Sequence, residues 1–121
     1  MEKSKTLGVW GEDLTAAFLE KKGCRIIGRN YRCPYGEIDL IAESEGFLLF
    51  VEVKLRKSAR FAPAAEFVDH RKQEKLKITA QYWLMEHDTL LQPRFDVVEV
   101  YAPYGMETAH PDIRHLEEAF W

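Results

Sequence analysis

Helical spacing of apolar residues in two parts of the chain predicts two helices. The first runs from about Leu7 to Lys22. Gly23 follows it directly and is a typical helix end, because glycine adopts the left-handed cap conformation without strain. The second helix is predicted from an N-cap at Asp69 to about Glu86.

Shorter apolar segments predict strands between and after these helices. The segments are Cys24–Tyr31, Glu37–Ser44, Phe47–Lys54 and Phe95–Tyr101. The third begins with a continuous apolar run, which is typical of a strand covered on both faces. Glu45-Gly46 predicts a tight hairpin turn between the second and third strands.

The predicted order is α-β-β-β-α-β, in one domain that spans residues 1–121. The hairpin implies antiparallel pairing, and the helical crossover before the last strand favours a parallel pair. We therefore predict an α/β fold in which helices cover both faces of a mixed sheet. We expect a loop from Leu55 to Val68, and a tail from Ile113 to Trp121 that forms a short strand and a helical turn docking Phe120.

The hairpin makes a geometric prediction about charged residues near its open end. If Glu45-Gly46 is a two-residue turn, Asp39 lies directly opposite Glu52, with Cβ atoms about 4.5–5.5 Å apart. Lys54 shares a strand face with Glu52, because side chains alternate along a strand. If the turn has three residues, Asp39 faces Val51 instead and the carboxylates are not opposed.

Two opposed carboxylates repel each other unless a cation lies between them. Magnesium suits such a place, because it takes carboxylate oxygens and keeps several waters, and manganese prefers similar ligands. A metal on Asp39 and Glu52 could bind a phosphate oxygen and activate water, with Lys54 stabilising the phosphate charge or orienting that water. The alternative is a set of ordinary salt bridges at a strand end.

Glu12 is a further candidate ligand, on the first helix. At helical spacing it shares a face with the small and apolar residues Thr15, Ala16 and Leu19. Gly11 beside it would allow a close approach to a neighbouring element, so Glu12 could point at the sheet and provide another metal ligand. The alternative is a first-turn acid that the helix dipole favours.

Charge is unevenly distributed along a chain whose formal net charge is −3. The segment from Lys54 to Lys77 has eight Lys/Arg against three Asp/Glu, whereas Glu86 to Trp121 has eight acids against two Arg. Such a chain could bind phosphate with one face while remaining acidic overall; a solvated helix face with an acidic tail is the alternative. The candidate contacts to a nucleic-acid backbone are Arg56, Lys57, Arg60, Arg71, Lys72 and Lys75.

Other classes of protein find less support in the sequence. Apolar residues make up 46% and charged residues 31%, an ordinary globular balance, and no apolar run approaches the roughly 20 residues that span a bilayer. The first residues have no apolar core behind them, so we expect no secretory signal, a cytoplasmic protein and no membrane association. The four histidines form no metal-ligand pair, and the two cysteines match no zinc site.

Several short segments together resemble the YraN family of bacterial endonuclease-like proteins. They are Gly11-Glu12, Asn30, Gly36-Glu37-Ile38-Asp39-Leu40-Ile41, Phe50-Val51-Glu52-Val53-Lys54, Arg94-Phe95-Asp96-Val97-Val98 and Ala119-Phe120. The resemblance covers nearly the whole chain. It implies a restriction-endonuclease-like core, similar to archaeal Holliday-junction resolvases, with a helix, three antiparallel strands, a helix and a strand.

The resemblance also implies roles for particular residues. The nuclease motif of an Asp, then an acid, any residue and a Lys corresponds to Asp39, Glu52 and Lys54, and the first-helix acid of resolvases corresponds to Glu12. Ile38 stands where many such nucleases have Pro, and Ala62-Pro63 lies where relatives commonly have Gly, so that loop could bend differently.

On these grounds we expect a Mg²⁺- or Mn²⁺-dependent nuclease or nuclease-like protein that acts on DNA, in particular branched or damaged DNA. A catalytically inactive nucleic-acid-binding module of the same fold is the main alternative, and a protein-interaction scaffold that uses the acidic C-terminal third is another. The sequence leaves open whether the nucleic acid is DNA or RNA. Pairing as a homodimer would follow by analogy with resolvases alone.

Overall fold

The computed structural model describes residues 6–57 and 69–120 of the chain. In these two ranges, two helices, a short 3-10 helix and five strands follow one another, with the helices and strands in the order α-β-β-β-α-β-β. The elements are α1 (Leu7–Lys21), β1 (Arg25–Cys33), β2 (Gly36–Ser44), β3 (Phe47–Arg56), α2 (His70–Glu86), β4 (Gln92–Tyr101), the 3-10 helix (Gly105–Glu107) and β5 (Asp112–Phe120). The order predicted from the sequence is confirmed, and the strand expected in the tail follows it as β5.

The strands form one sheet in the order β1-β2-β3-β4-β5. The β3–β4 pair, which α2 connects, is parallel, and the other three pairs are antiparallel. The predicted mixed sheet is therefore confirmed. Its element order and pairing are those of a restriction-endonuclease-like core.

Each face of the sheet packs against one helix. Ala16 and Leu19 of α1 pack in one core cluster with Leu49, whereas Trp83 of α2 packs in the other with Phe50. Leu49 and Phe50 are neighbours in β3, and both are almost completely buried, because alternation sends them to opposite covered faces. Burial on both faces explains the continuous apolar run of β3 and places this strand at the centre of the molecule.

The β2–β3 hairpin has the two-residue turn that the sequence predicts. Glu45 and Gly46 have φ angles of 47° and 85°, as a type I′ turn requires. Ser44 pairs with Phe47, and the register continues without a shift to the pair Leu40–Val51. This register fixes which residues of the two strands meet at the open end of the hairpin.

The tail differs from the prediction in one respect. The expected helical turn is wrong: β5 runs continuously to Phe120, which pairs with Phe95 of β4. Glu118 has a φ of 49° within a shift in register, where three residues of β5 stand opposite Asp96 of β4. The two extra residues form a bulge, after which the strand pairs with β4 again at Phe120. The expected docking of Phe120 is confirmed, since its ring stacks on Phe95 with centroids 5.1 Å apart.

A buried charge network holds β5 against β4. Asp96 is fully buried and accepts two hydrogen bonds of 2.9 Å from the guanidinium of Arg94. Its carboxylate also lies 2.6 Å from His115 Nε2 and accepts a 3.1 Å hydrogen bond from the backbone N–H of Glu118. Burial would raise the pKa of Asp96, but these hydrogen bonds outweigh burial and keep that pKa below its usual value.

The expected loop after β3 begins later than predicted. Leu55 and Arg56 still belong to β3, where they pair with Val100 and Tyr101 of β4, and the rest of that segment from residue 58 to 68 lies outside the described residues. Asp69 caps α2 as predicted, because its side chain accepts a hydrogen bond from the backbone N–H of Lys72. Within the described ranges, neither helix is long and apolar enough to cross a membrane.

Candidate active site

The predicted acids of the two strands lie in one cavity of about 470 Å³, which we call the site cavity. It lies between the start of β2, the second half of β3 and the first turns of α2. The residues that line it are Gly36, Glu37, Asp39, Glu52, Asp69, Arg71, Lys72, Lys75 and Leu76. The fold therefore brings Asp39 and Glu52 together with three of the predicted basic residues.

Asp39 lies where the regular pairing of β2 and β3 ends. The last paired residues are Leu40 and Val51, so Asp39 and Glu52 are the next residues on their two strands. The Asp39 side chain takes over from the backbone there, since its Oδ2 accepts a 2.8 Å hydrogen bond from the N–H of Val53. This bond holds the carboxylate of β2 against the segment of β3 that contains Glu52.

The surroundings of Asp39 disfavour its charged form. Burial and the negative charge of Glu52 raise the pKa of Asp39 to about 7, and Glu12 adds to the effect. The Val53 hydrogen bond and the positive charge of Lys72 act in the opposite direction but do not compensate. A carboxyl with this pKa binds either a proton or another cation near neutral pH, which is typical of a functional carboxylate cluster.

Glu52 is almost fully buried, with 6% of its surface exposed, and it forms ion pairs with two lysines. Lys72 Nζ lies 2.8 Å from Glu52 Oε1, and Lys54 Nζ lies 3.7 Å from the same oxygen. The salt-bridge alternative is thus realised for Glu52. It does not account for Asp39, whose pKa is raised by burial and by its acidic neighbours.

The two lysines differ in how firmly they hold their protons. Burial and the charge of Lys72 lower the pKa of Lys54, and the attraction of Glu52 only partly opposes them. Burial would also lower the pKa of Lys72, but its hydrogen bond and charge interaction with Glu52 prevail and raise it. Lys72 is therefore the principal countercharge of Glu52, and Lys54 is the more readily deprotonated amine.

Glu12 lies on α1 and does not line the site cavity itself. The helix approaches β3 closely at Gly11, where an added Cβ would lie only 3.0 Å from the side chain of Leu55. Glu12 Oε1 is buried and has no hydrogen-bond partner in the described part of the chain. Its negative charge contributes to the raised pKa of Asp39, so Glu12 interacts electrostatically with this carboxyl from α1.

The predicted basic residues divide into three groups. Arg71, Lys72 and Lys75 line the site cavity from α2. Arg56 ends β3 on the same face as Lys54 by alternation, and Lys57 follows it in an exposed bend. Arg60 lies outside the described residues.

The ion pair of Lys72 with Glu52 could not be assigned from the sequence, which identified Lys72 only as a contact to nucleic acid. Its position offers one indication. The first turn of α2 has no acidic residue and begins His70-Arg71-Lys72, although the positive end of the helix dipole disfavours cations there. Basic residues in such a place indicate that anions lie nearby, and Glu52 is one of them.

The donor set fits a hard divalent cation with open coordination positions. Within residues 6–57 and 69–120, no group of three or more His, Cys, Asp or Glu side chains is arranged to hold a metal. The site cavity offers two carboxylates, those of Asp39 and Glu52, and Glu12 lies outside its lining. Magnesium is often held by one or two carboxylates with waters and phosphate oxygens completing its shell, so these residues suit it.

The fold and the site define a small α/β domain of restriction-endonuclease-like architecture, with acids from two adjacent strands and lysines in one cavity. Comparison with known proteins assigns it to a family. A model of the uncharacterised protein family UPF0102 matches residues 11–100, which include Glu12, Asp39, Glu52 and Lys54. The chain belongs to this family, and the resemblance to YraN proteins is confirmed.

Similar proteins of the family come from distant bacteria. The chain is 40% identical over 121 residues to a UPF0102 protein of Rhodococcus opacus (strain B4), which covers 99% of this chain and 100% of that protein. It is 46% identical over 117 residues to a UPF0102 protein of Caldanaerobacter subterraneus subsp. tengcongensis, covering 96% of this chain and 95% of that one. A UPF0102 protein of Neisseria gonorrhoeae is 45% identical over 92 residues, 75% of this chain and 80% of that protein.

Proposed function

We propose that this protein is a divalent-metal-dependent nuclease that hydrolyses phosphodiester bonds of DNA, with branched or damaged DNA as the expected substrate. The observation that supports the proposal is the meeting of Asp39 and Glu52 in one cavity, where burial and the charge of Glu52 raise the pKa of Asp39 to about 7. Two carboxylates that repel each other in a buried place need a cation. A lysine-rich cavity wall supplies a second requirement, attraction for phosphate.

Each residue has a defined part in this proposal. Asp39 and Glu52 hold the cation, which is Mg²⁺ or Mn²⁺, and Glu12 assists from α1. A cation bound there supplies Lewis acidity to a phosphate oxygen and lowers the pKa of bound water. Lys54, whose pKa burial and Lys72 lower, lies beside Glu52, where it stabilises phosphate charge or orients the attacking water.

The bases around the site cavity provide the contact to the nucleic-acid backbone. Arg71 and Lys75 line the cavity from α2, and Arg56 extends the row that Glu52 and Lys54 begin on β3. These cations, together with the N-terminal end of α2, attract phosphates toward the acids. The formal net charge of −3 is compatible with this role because the positive charge is concentrated on one side of the cavity.

A nucleic-acid-binding module without turnover is the second candidate. The double ion pair of Glu52 favours it, because two lysines already neutralise this carboxylate. In that case DNA binding depends on salt concentration but not on the Glu52 carboxylate. Salt-dependent DNA binding by Glu52→Gln equal to that of the wild type, with no cleavage by either protein, would favour this candidate.

The test of the proposal begins with metal binding and continues to cleavage. Calorimetric titration with Mn²⁺ should show binding to the wild type and none to Asp39→Asn. The matched control is Glu43→Gln, which removes an acid at the other end of β2, where Glu43 pairs with Arg25. With Mg²⁺ or Mn²⁺, the wild type and this control should cleave a four-way junction, a nicked duplex or a single strand, and Asp39→Asn should not.

The wild type should cleave at least one of these DNA substrates, and Asp39→Asn should abolish that cleavage. If no substrate shows this pattern, the proposed nuclease activity is wrong. Cleavage that persists unchanged in Asp39→Asn would point to a contaminating nuclease. Loss of Mn²⁺ binding in Glu43→Gln as well would mean that the cation binds elsewhere on the acidic surface.

A further inference from the structure

Lys72 has a place that the proposed function does not yet explain. Its ammonium lies 2.8 Å from Glu52 Oε1, closer than the 3.7 Å of Lys54, although Lys72 belongs to a helix and Glu52 to the central strand. The oxygen that Lys72 occupies belongs to a proposed metal ligand. A divalent cation and an ammonium that approach the same carboxylate compete for it.

The arrangement around Glu52 favours the departure of Lys72 when a second cation arrives. The two ammonium groups repel each other, because both approach the same oxygen of Glu52, Lys72 at 2.8 Å and Lys54 at 3.7 Å. The side chain of Glu52 is 7% exposed and that of Lys54 is 20% exposed, whereas that of Lys72 is 42% exposed. Lys72 is thus the member of the group with solvent-accessible space into which it can move.

The direction of that movement follows from the lining of the site cavity. Arg71 and Lys75, on the same helix, line the cavity with Lys72. The other acids of the lining already have partners or a part in the proposed site: Asp69 caps α2, Glu37 pairs with Arg32, and Asp39 is the second proposed metal ligand. A phosphate bound in the cavity would be the nearest new partner. A long, flexible lysine can exchange a carboxylate for a phosphate without moving its backbone.

We propose that Lys72 pairs with Glu52 until a divalent cation binds to this carboxylate. Lys72 then leaves Glu52 and contacts the phosphate of the nucleic acid. The inference rests on the proposed function. It couples metal and DNA binding through one side chain: the cation frees the lysine, and the phosphate accepts it. Glu52 remains compensated throughout, because breaking a buried ion pair without replacement is strongly destabilising.

Metal binding by Lys72 variants without DNA tests the first half of the proposal. Lys72→Met should bind Mn²⁺ roughly tenfold more tightly than the wild type in calorimetric titration, because the competitor for Glu52 is gone. Lys72→Arg should bind Mn²⁺ more weakly than the wild type, since a guanidinium holds a carboxylate with two hydrogen bonds. The matched control is Lys75→Met, which removes another cavity-lining cation and should change the dissociation constant less than about twofold.

Lys72→Met and Lys72→Arg should change the affinity for Mn²⁺ in opposite directions, so Lys72→Arg still tests the inference if Lys72→Met does not fold. Equal Mn²⁺ affinity in Lys72→Met, Lys72→Arg and Lys75→Met, with measurable binding to the wild type, would overturn the inference and leave the proposed metal site standing. Absence of Mn²⁺ binding in the wild type and in every variant would overturn both. Binding to Lys72→Met but not to the wild type would support the inference in its strongest form.

DNA binding tests the second half, with a fluorescent four-way junction as the probe and Ca²⁺ as a cation expected to permit binding without cleavage. Ca²⁺ should strengthen binding by the wild type severalfold, and Lys72→Met should lose most of that gain. Lys75→Met should weaken binding by the same factor with and without Ca²⁺. A Ca²⁺ effect in Lys72→Met as large as in the wild type would overturn the transfer of Lys72 to phosphate.

Discussion

The carboxylate of Asp39 accepts a 2.8 Å hydrogen bond from the backbone N–H of Val53. Both residues lie just beyond the last regular pair of β2 and β3. A side chain thus replaces a backbone partner at the point where the two strands separate. The bond satisfies a donor of the central strand and positions an acid beside Glu52. The local structure and the chemistry of the site therefore depend on the same residue.

In protein without added metal, the contribution of Asp39 to the free energy of unfolding should fall as pH rises from about 4 to about 7. The unfolded chain loses the Asp39 proton near the ordinary value of 3.8, whereas the folded protein keeps it up to about 7. Folding therefore binds a proton in this range, and each increase in pH works against the folded state. Asp39→Asn should remove this decline and be more stable than the wild type at pH 8 by roughly 2–4 kcal/mol.

Urea denaturation in EDTA from pH 5 to pH 8 measures the effect. Asparagine can still accept the hydrogen bond of Val53, so the comparison isolates the charge. The control Glu43→Gln should follow the pH dependence of the wild type. Parallel stability curves for the wild type and Asp39→Asn would contradict the raised pKa of Asp39.

Local sequence patterns were sufficient to predict the hairpin and, through it, the centre of the site. Glu45-Gly46 favours a two-residue turn, and turn length fixes register, so the approach of Asp39 to Glu52 follows by counting along two strands. The burial of the α1 face beside Glu12 was also predictable, from helical spacing. The helical neighbours Thr15 and Leu19 are fully buried, which turns that side of α1 toward the sheet.

Features that depend on contacts between distant segments were not predictable. Lys72 contacts Glu52 only because α2 packs across the sheet. The number of residues between β3 and Lys72 does not indicate which anion Lys72 contacts. The helical turn predicted for the tail is wrong for a similar reason. The bulge at Glu118 is stabilised by the hydrogen bond from its N–H to Asp96 of another strand, so its own sequence could equally well end in a helical turn.

Gly11→Ala should destabilise the protein and disturb the site, although alanine favours helices. The new Cβ would lie 3.0 Å from Leu55 Cδ2 and 3.1 Å from Leu55 Cγ, so the whole end of that side chain would have to move. We expect a loss of about 1–2 kcal/mol and weaker Mn²⁺ binding, because α1 carries Glu12 away from Asp39 as it shifts.

Gly8→Ala is the matched control for this change. It lies on the same helix, where the nearest atom to an added Cβ is Thr6 Oγ1 at 4.0 Å. Thermal unfolding and Mn²⁺ titration should show equal or greater stability and unchanged affinity for Gly8→Ala. Equal behaviour of the two variants would mean that the close approach of α1 to Leu55 does not position the site.

Glu45→Asn should stabilise the hairpin that sets the register of Asp39 and Glu52. Glu45 has a φ of 47°, a conformation that asparagine adopts more readily than glutamate, and Asn-Gly is the preferred pair for a type I′ turn. We expect a gain of about 0.5–1 kcal/mol, measured as a higher urea midpoint with an unchanged slope. Gly46→Ala, at a φ of 85°, should lower the midpoint, and a gain there would contradict the assigned turn.

Asp96→Asn should destabilise the fold without acting on the site chemistry. Asp96 is fully buried, and an amide in its place would turn a donor toward the donors of Arg94 and His115. Removing one partner of such a network costs about 3 kcal/mol, which in a chain of this length lowers Tm by roughly 10 °C. The control Asp112→Asn breaks an exposed pair with Arg114 and should change Tm very little. Below the unfolding transition, Asp96→Asn should retain the Mn²⁺ affinity of the wild type, because Asp96 and the residues bound to it do not line the site cavity. Loss of metal binding in the folded variant would instead make Asp96 part of the site.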